Sequence, residues 1–221
     1  MADSRVNGSR TKATIVTTDD PRRLSPIEAS IMDWCNMAHR VRSRGDDAEL
    51  ATVSRELQRL LARYDETDGD GHSHPAWARP NQRALVQSAL GRTAKAIATE
   101  IVALKYADTP RRVEVSAGNI AARHIRLHKP ESAIPYFLQA WDAAPYSVPV
   151  LLTGATAFHR SGRTTAAESV FASLLEVTPM LGPDSDLAVW LTHDEELREL
   201  ASKSEALRDL FVWLDSIGGA A

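Results

Sequence analysis

At 221 residues, with 43% hydrophobic and 25% charged side chains and a net charge of −3, the chain has the composition of an ordinary folded protein, which excludes wholesale disorder. One cysteine, Cys35, excludes an intrachain disulfide, and no apolar run approaches the roughly 18 residues of a membrane-spanning helix. The net charge points to no polyanion, but charge is uneven along the chain: residues 79–129 hold ten basic and three acidic side chains, residues 180–221 three and nine.

Residues 1–24 are polar and read as a flexible N-terminal tail; the opening MADSRVNGSR has no apolar h-region, so a cytoplasmic location is expected. A helical hairpin follows over 25–65. Ser25, Pro26 and Glu28 form a capping box with proline at the first helical position. Ile27, Ile31, Trp34, Ala38 and Val41 then make one apolar stripe, which Gly45 ends. The second helix, about 46–64, carries Leu50, Val53, Leu57, Leu60 and Tyr64 on one face and Arg55, Arg59 and Arg63 on another. The Gly-, Asp- and Pro-rich stretch 66–80 reads as a loop or linker. A long helix is predicted over 82–107, through Leu85, Val86, Ala89, Leu90, Ile97, Ile101 and Leu104. No lasting period-two alternation appears, so the fold class is all-α.

Residues 114–147 and 148–181 repeat one pattern 34 residues apart. Ala121 matches Ala155, Ala133 matches Ala167, Phe137 matches Phe171 and Pro145 matches Pro179. Each unit reads as a helical hairpin: small residues where two helices approach closely, an aromatic for the groove, a proline to stop the second helix. This pattern resembles the tetratricopeptide repeat family, with Gly162 at a usual turn-glycine place. The departures are Ala117 and Leu151 where the family has Trp, Gly154 for Leu, and His128 for the turn glycine. Pro135 lies inside a helix, where proline costs about 3 kcal/mol, so a bend or a start later than Pro130 is expected. The template fits 80–113 only at Ala98 and Pro110. Residues 81–221 are thus expected to form a tetratricopeptide-like domain. Its C-terminal capping helices include one opened by a Thr192–Glu195 box and a stripe from Leu207 to Ile217.

For chemistry, Asp68, Asp70, His72 and His74 cluster in the loop, but the spacing fails an EF-hand, and a solvated loop is the preferred reading over a transition-metal site. Cys35 reads as a buried structural thiol. No phosphate loop, HExxH, CxxC or GxSxG is present, so no catalytic residue, metal or cofactor is assigned. For recognition, the resemblance implies a concave surface lined by the first helix of each unit. On it would lie the partner-binding candidates Asn119, Arg123, Arg126, Thr156, His159 and Arg160. Arg126 and Arg160 would stack into a cationic ridge suited to a carboxylate-bearing peptide. The expected function is a non-catalytic module binding a partner protein or acidic peptide. The alternatives are a nucleic-acid-associated regulator using 79–129, which the scattered spacing of its basic residues disfavours, and an enzyme or metal protein centred on the 65–80 loop. The Ile31–Trp34 stripe suits a homodimer as well as burial within one chain.

Overall fold

The computed structural model describes residues 25–66 and 74–218. The tail expected over 1–24 and the loop residues Asp68, Asp70 and His72 lie outside them. Among the described residues the chain is all helix and turn, with no strand. The helices are α1 (Pro26–Arg44), α2 (Asp47–Glu66), α3 (Pro75–Ala89), α4 (Thr93–Lys105), α5 (Pro110–Arg126), α6 (Pro130–Ala143), α7 (Val148–Arg160), α8 (Thr164–Val177), α9 (Asp186–His193), α10 (Glu195–Leu200) and α11 (Glu205–Gly218).

The first eight form four consecutive hairpins. Each turns on one residue in the left-handed region: Gly45 (φ 71°), Gly91 (φ 78°), His128 (φ 55°) and Gly162 (φ 74°). Three glycines meet this need without strain, whereas His128 accepts a conformation that disfavours a Cβ. Seven residues before each turn stands an alanine, Ala38, Ala84, Ala121 or Ala155, and all four are fully buried. Five residues after the last three turns stand Ala96, Ala133 and Ala167, also buried. Small side chains at these two places let the helices of a hairpin approach closely.

Four expectations are corrected. The long helix over 82–107 is two helices, because Gly91 reverses the chain and its N–H bonds the Ser88 carbonyl at 3.0 Å. The linker assigned to 66–80 is helical from Pro75: proline suits the first helical position, and His74 Nδ1 accepts the Trp77 N–H at 3.3 Å. Thr192 is not a cap. It lies within α9 and donates to the Ala188 carbonyl at 2.8 Å, while Asp194 caps α10 by accepting the Leu197 N–H at 3.3 Å. Nor does α6 start late; it runs from Pro130 through Pro135. Glu131 and Pro135 are both exposed, so the carbonyl that proline leaves unpaired meets water.

Within the array α1, α3, α5, α7 and α9 pack in sequence order, each on the next. The second helices α2, α4, α6 and α8 do not pack on one another to a comparable extent, so the row of first helices is the compressed, concave side. Helices α9 and α11 close the array, α11 against α8. Glu168 of α8 accepts the Ala206 N–H at 2.9 Å and the Ser204 hydroxyl, so one carboxylate secures the start of α11.

Two apolar cores result. One holds hairpins α1/α2 and α3/α4, around Ile31, Leu57, Tyr64 and Val86. The other holds hairpins α5/α6 and α7/α8 with the cap, around Phe137, Leu151, Phe171, Leu187 and Leu210. Ile31 is fully buried in the first and Trp34 packs against it, so the α1 stripe is covered within the chain.

Candidate functional site

The two cores meet at a buried polar seam. Glu100, fully buried on α4, accepts from Arg123 Nη1 at 2.7 Å and from Asn81 Nδ2 at 2.8 Å. Trp77 Nε1 donates to Ser116 Oγ at 3.0 Å beside them. Burial pushes the Glu100 carboxyl above the usual glutamate range, while Arg123, Asn81 and Ser116 pull it back. Counting from the turn, Glu100 stands where the next two hairpins have Phe137 and Phe171. An ion pair thus fills the joint that an aromatic ring fills elsewhere.

Along the concave row, Arg42 of α1 and Arg126 of α5 converge from opposite sides on the last turn of α3. Arg42 Nη1 donates to the carbonyls of Ala89 (3.1 Å) and Ser88 (3.4 Å), and Arg126 Nη1 donates to Ser88 Oγ (3.2 Å). Gly91 makes room: a Cβ there would come within 3.1–3.2 Å of the Arg42 guanidinium. His39, Arg42 and Arg126 are all exposed. Among the described residues neither arginine has a carboxylate partner. Their charges fall on neighbouring cationic groups instead. Burial and then the Arg126 and Arg42 charges hold His39 below the usual imidazole range. Arg126 is exposed overall, and partial desolvation where it packs toward α3, then the Arg123 and Arg42 charges, lower it from the usual guanidinium value. Such an arrangement can hold an oxyanion.

The six residues expected to bind a partner are dispersed. Asn119 is half-buried on α5. Arg123 is 2% exposed and belongs to the seam. Arg126 belongs to the basic cluster. Thr156 is half-buried, and its hydroxyl donates to the Leu152 carbonyl of its own helix at 2.9 Å. His159 is half-buried. Arg160 is exposed and lines a hollow of about 590 Å³ with Asp186, Trp190, His193 and Asp194. The ridge expected from Arg126 and Arg160 therefore divides, one arginine turned toward α3 and the other toward α9. Sequence reasoning missed His39, Arg42 and Ser88. Registering the hairpins on their turn residues would have found the last two, each three residues before its glycine.

Elsewhere, an open hollow of about 960 Å³ lies along α3 and α4, with Arg79, Arg83, Gln87, Lys95 and the exposed Val102 and Tyr106 on its walls. Much of the basic middle segment is engaged within the chain. Arg79 and Arg83 hold Asp65, Arg111 holds Glu114 at 2.7 Å, Arg112 holds Asp108 at 2.5 Å, and Arg123 holds Glu100. Burial pushes the Cys35 thiol up to about 12. Among the described residues no three His, Cys, Asp or Glu side chains converge as metal ligands, and no helix is long and apolar enough to cross a membrane.

Fold and site define the class: an all-α array of packed helical hairpins with a basic cluster on its concave row. No protein-family model matches the chain, and neither a curated protein nor a solved structure matches it.

Proposed function

We propose that this chain is a non-catalytic interaction module that holds an acidic segment of a partner protein along the concave row of α1, α3, α5 and α7. The tetratricopeptide-like reading of hairpins α5/α6 and α7/α8 supports it, with their matched Ala121/Ala155, Ala133/Ala167 and Phe137/Phe171. The observation that carries it is the exposed pair Arg42 and Arg126, which converges on α3 without a carboxylate partner among the described residues. Guanidinium forks in that state complement carboxylates or phosphates. A buried, unreactive cysteine suits an intracellular, reducing setting.

The test is recovery of a partner from the native host by the full chain, identified by mass spectrometry, then its binding to the purified Arg126→Glu/Arg160→Glu variant. Loss of binding with unchanged helicity supports the module. Unchanged binding sinks this placement of the groove.

A further inference from the structure

We propose that Arg42 and Arg126 form a binding site for a phosphate monoester dianion, seated over the end of α3 between the first and third hairpins, with His39 one helical turn before Arg42 on α1. The site stands on its own geometry. It rests on the interaction-module reading only for the source of the phosphate, a phosphorylated side chain of the partner segment.

Each arginine commits one terminal nitrogen to α3, Arg42 to the Ser88 and Ala89 carbonyls and Arg126 to Ser88 Oγ. A guanidinium carries five N–H donors, so each keeps its Nε and second Nη for an anion. The two arrive from different hairpins on the same residue, Ser88, which is itself buried. A carboxylate brings one negative charge and two oxygens in a single plane, so it offsets only one of the two guanidinium charges. A tetrahedral phosphate offers oxygens in more than one plane and can take both, with a charge of about −1.5 to −2 at neutral pH.

The competing account makes both arginines a structural cap for the C-terminal end of α3, whose dipole is negative. That end carries only about half an elementary charge, and it is met here by two full positive charges. The second cation, Arg126, meets α3 at the Ser88 hydroxyl and not at a carbonyl of the helix end, so it does not serve as a cap. A cap alone requires one cation. Gly91, with no Cβ, leaves room for the Arg42 guanidinium at the end of α3.

The experiment titrates inorganic phosphate, O-phosphoserine and acetate into the full chain by calorimetry at constant ionic strength, with the His39 imidazole followed by NMR. Phosphate and O-phosphoserine should saturate one site and acetate should not. Bound phosphate should raise the His39 pKa, because it offsets the two charges that depress it. Arg126→Gln should weaken phosphate binding about tenfold or more, from the loss of a charge-assisted contact, and Arg160→Gln should leave it unchanged. Absence of saturable binding, displacement of phosphate by equimolar acetate, or unchanged affinity in Arg126→Gln would overturn the proposal. Should Arg126→Gln not fold, the wild-type His39 resonance decides, and an unmoved pKa under phosphate sinks the site. Phosphate binding lost in Arg126→Gln while the partner still binds leaves this site standing and removes the groove reading; the converse removes the site alone.

Discussion

Glu100 and Arg123 are the residues on which the middle of the molecule depends. Both are almost wholly buried and 2.7 Å apart, and each is the other's counter-charge. Removing one partner of such a pair leaves a stranded charge, so Arg123→Ala should cost about 3–5 kcal/mol at neutral pH. The cost should depend on pH. Glu100 is raised in the fold, so its contribution is present below the unfolded glutamate value and lost as pH climbs through the folded one. Without Arg123, which pulls it down, the carboxyl rises further and the loss extends over a wider window toward neutrality. Urea midpoints should therefore show a smaller deficit for Arg123→Ala at acid pH than at pH 7; an equal deficit would refute the argument. Adding Glu100→Phe to Arg123→Ala substitutes the aromatic that the later joints use and should recover most of the loss. At Cys35, burial and a thiol pushed up to about 12 make the native group inert, so an aromatic disulfide reagent should label it only as the protein unfolds.

At the scale of the helix pair, one joint rests on a glycine. A Cβ on Gly154 of α7 would lie 2.1–2.5 Å from the Phe137 ring of α6, and that ring is also set edge-on to Phe158 (5.5 Å) and stacked on Trp141 (5.4 Å). Gly154→Ala should thus destabilise by about 1–3 kcal/mol, read as a lower urea midpoint, although alanine is the better helix former. A neutral or stabilising outcome would mean the ring moves freely. This position looked like a departure in the sequence, where Gly154 stands in place of a larger residue; its reason is a ring from the preceding hairpin. The third and fourth hairpins were legible because they share a 34-residue spacing and matching Ala and Phe. The second was not. Gly91 lies 37 residues before His128, so a fixed-period template slides off it, and its aromatic place holds Glu100. Pro75 and Pro80 were read as breakers, yet Pro75 opens α3 at its first position, and Pro80 lies inside the helix where the carbonyl it leaves unpaired belongs to the exposed Ala76. The basic cluster needed the same register: Arg42 and Ser88 each stand three residues before a turn glycine, but they and Arg126 are far apart in sequence and meet only once three hairpins are stacked.

On the scale of the whole molecule, the seam divides an array that would otherwise have one continuous core. Hairpin arrays draw stability from each unit and from each interface between neighbours, so a polar interface is where cooperation is weakest. The two sides are unequal. The C-terminal core buries Phe137, Phe158, Phe171 and Phe211 with leucines from α7, α8 and the cap helices, whereas the N-terminal core is smaller and leans on α5 mainly across the seam. Sub-global opening should accordingly begin at α1 and α2, ahead of α6, α7 and α8. Native-state hydrogen exchange read by mass spectrometry would show this as lower protection in α1 and α2 than in α6–α8. Arg123→Ala should widen the gap by removing the buried ion pair between the halves. Because the basic cluster spans α1, α3 and α5, an anion seated on it bridges the same division. Phosphate should then raise protection in α1 and α2 more than in α8, and uniform protection with or without it would show that the two cores unfold as one.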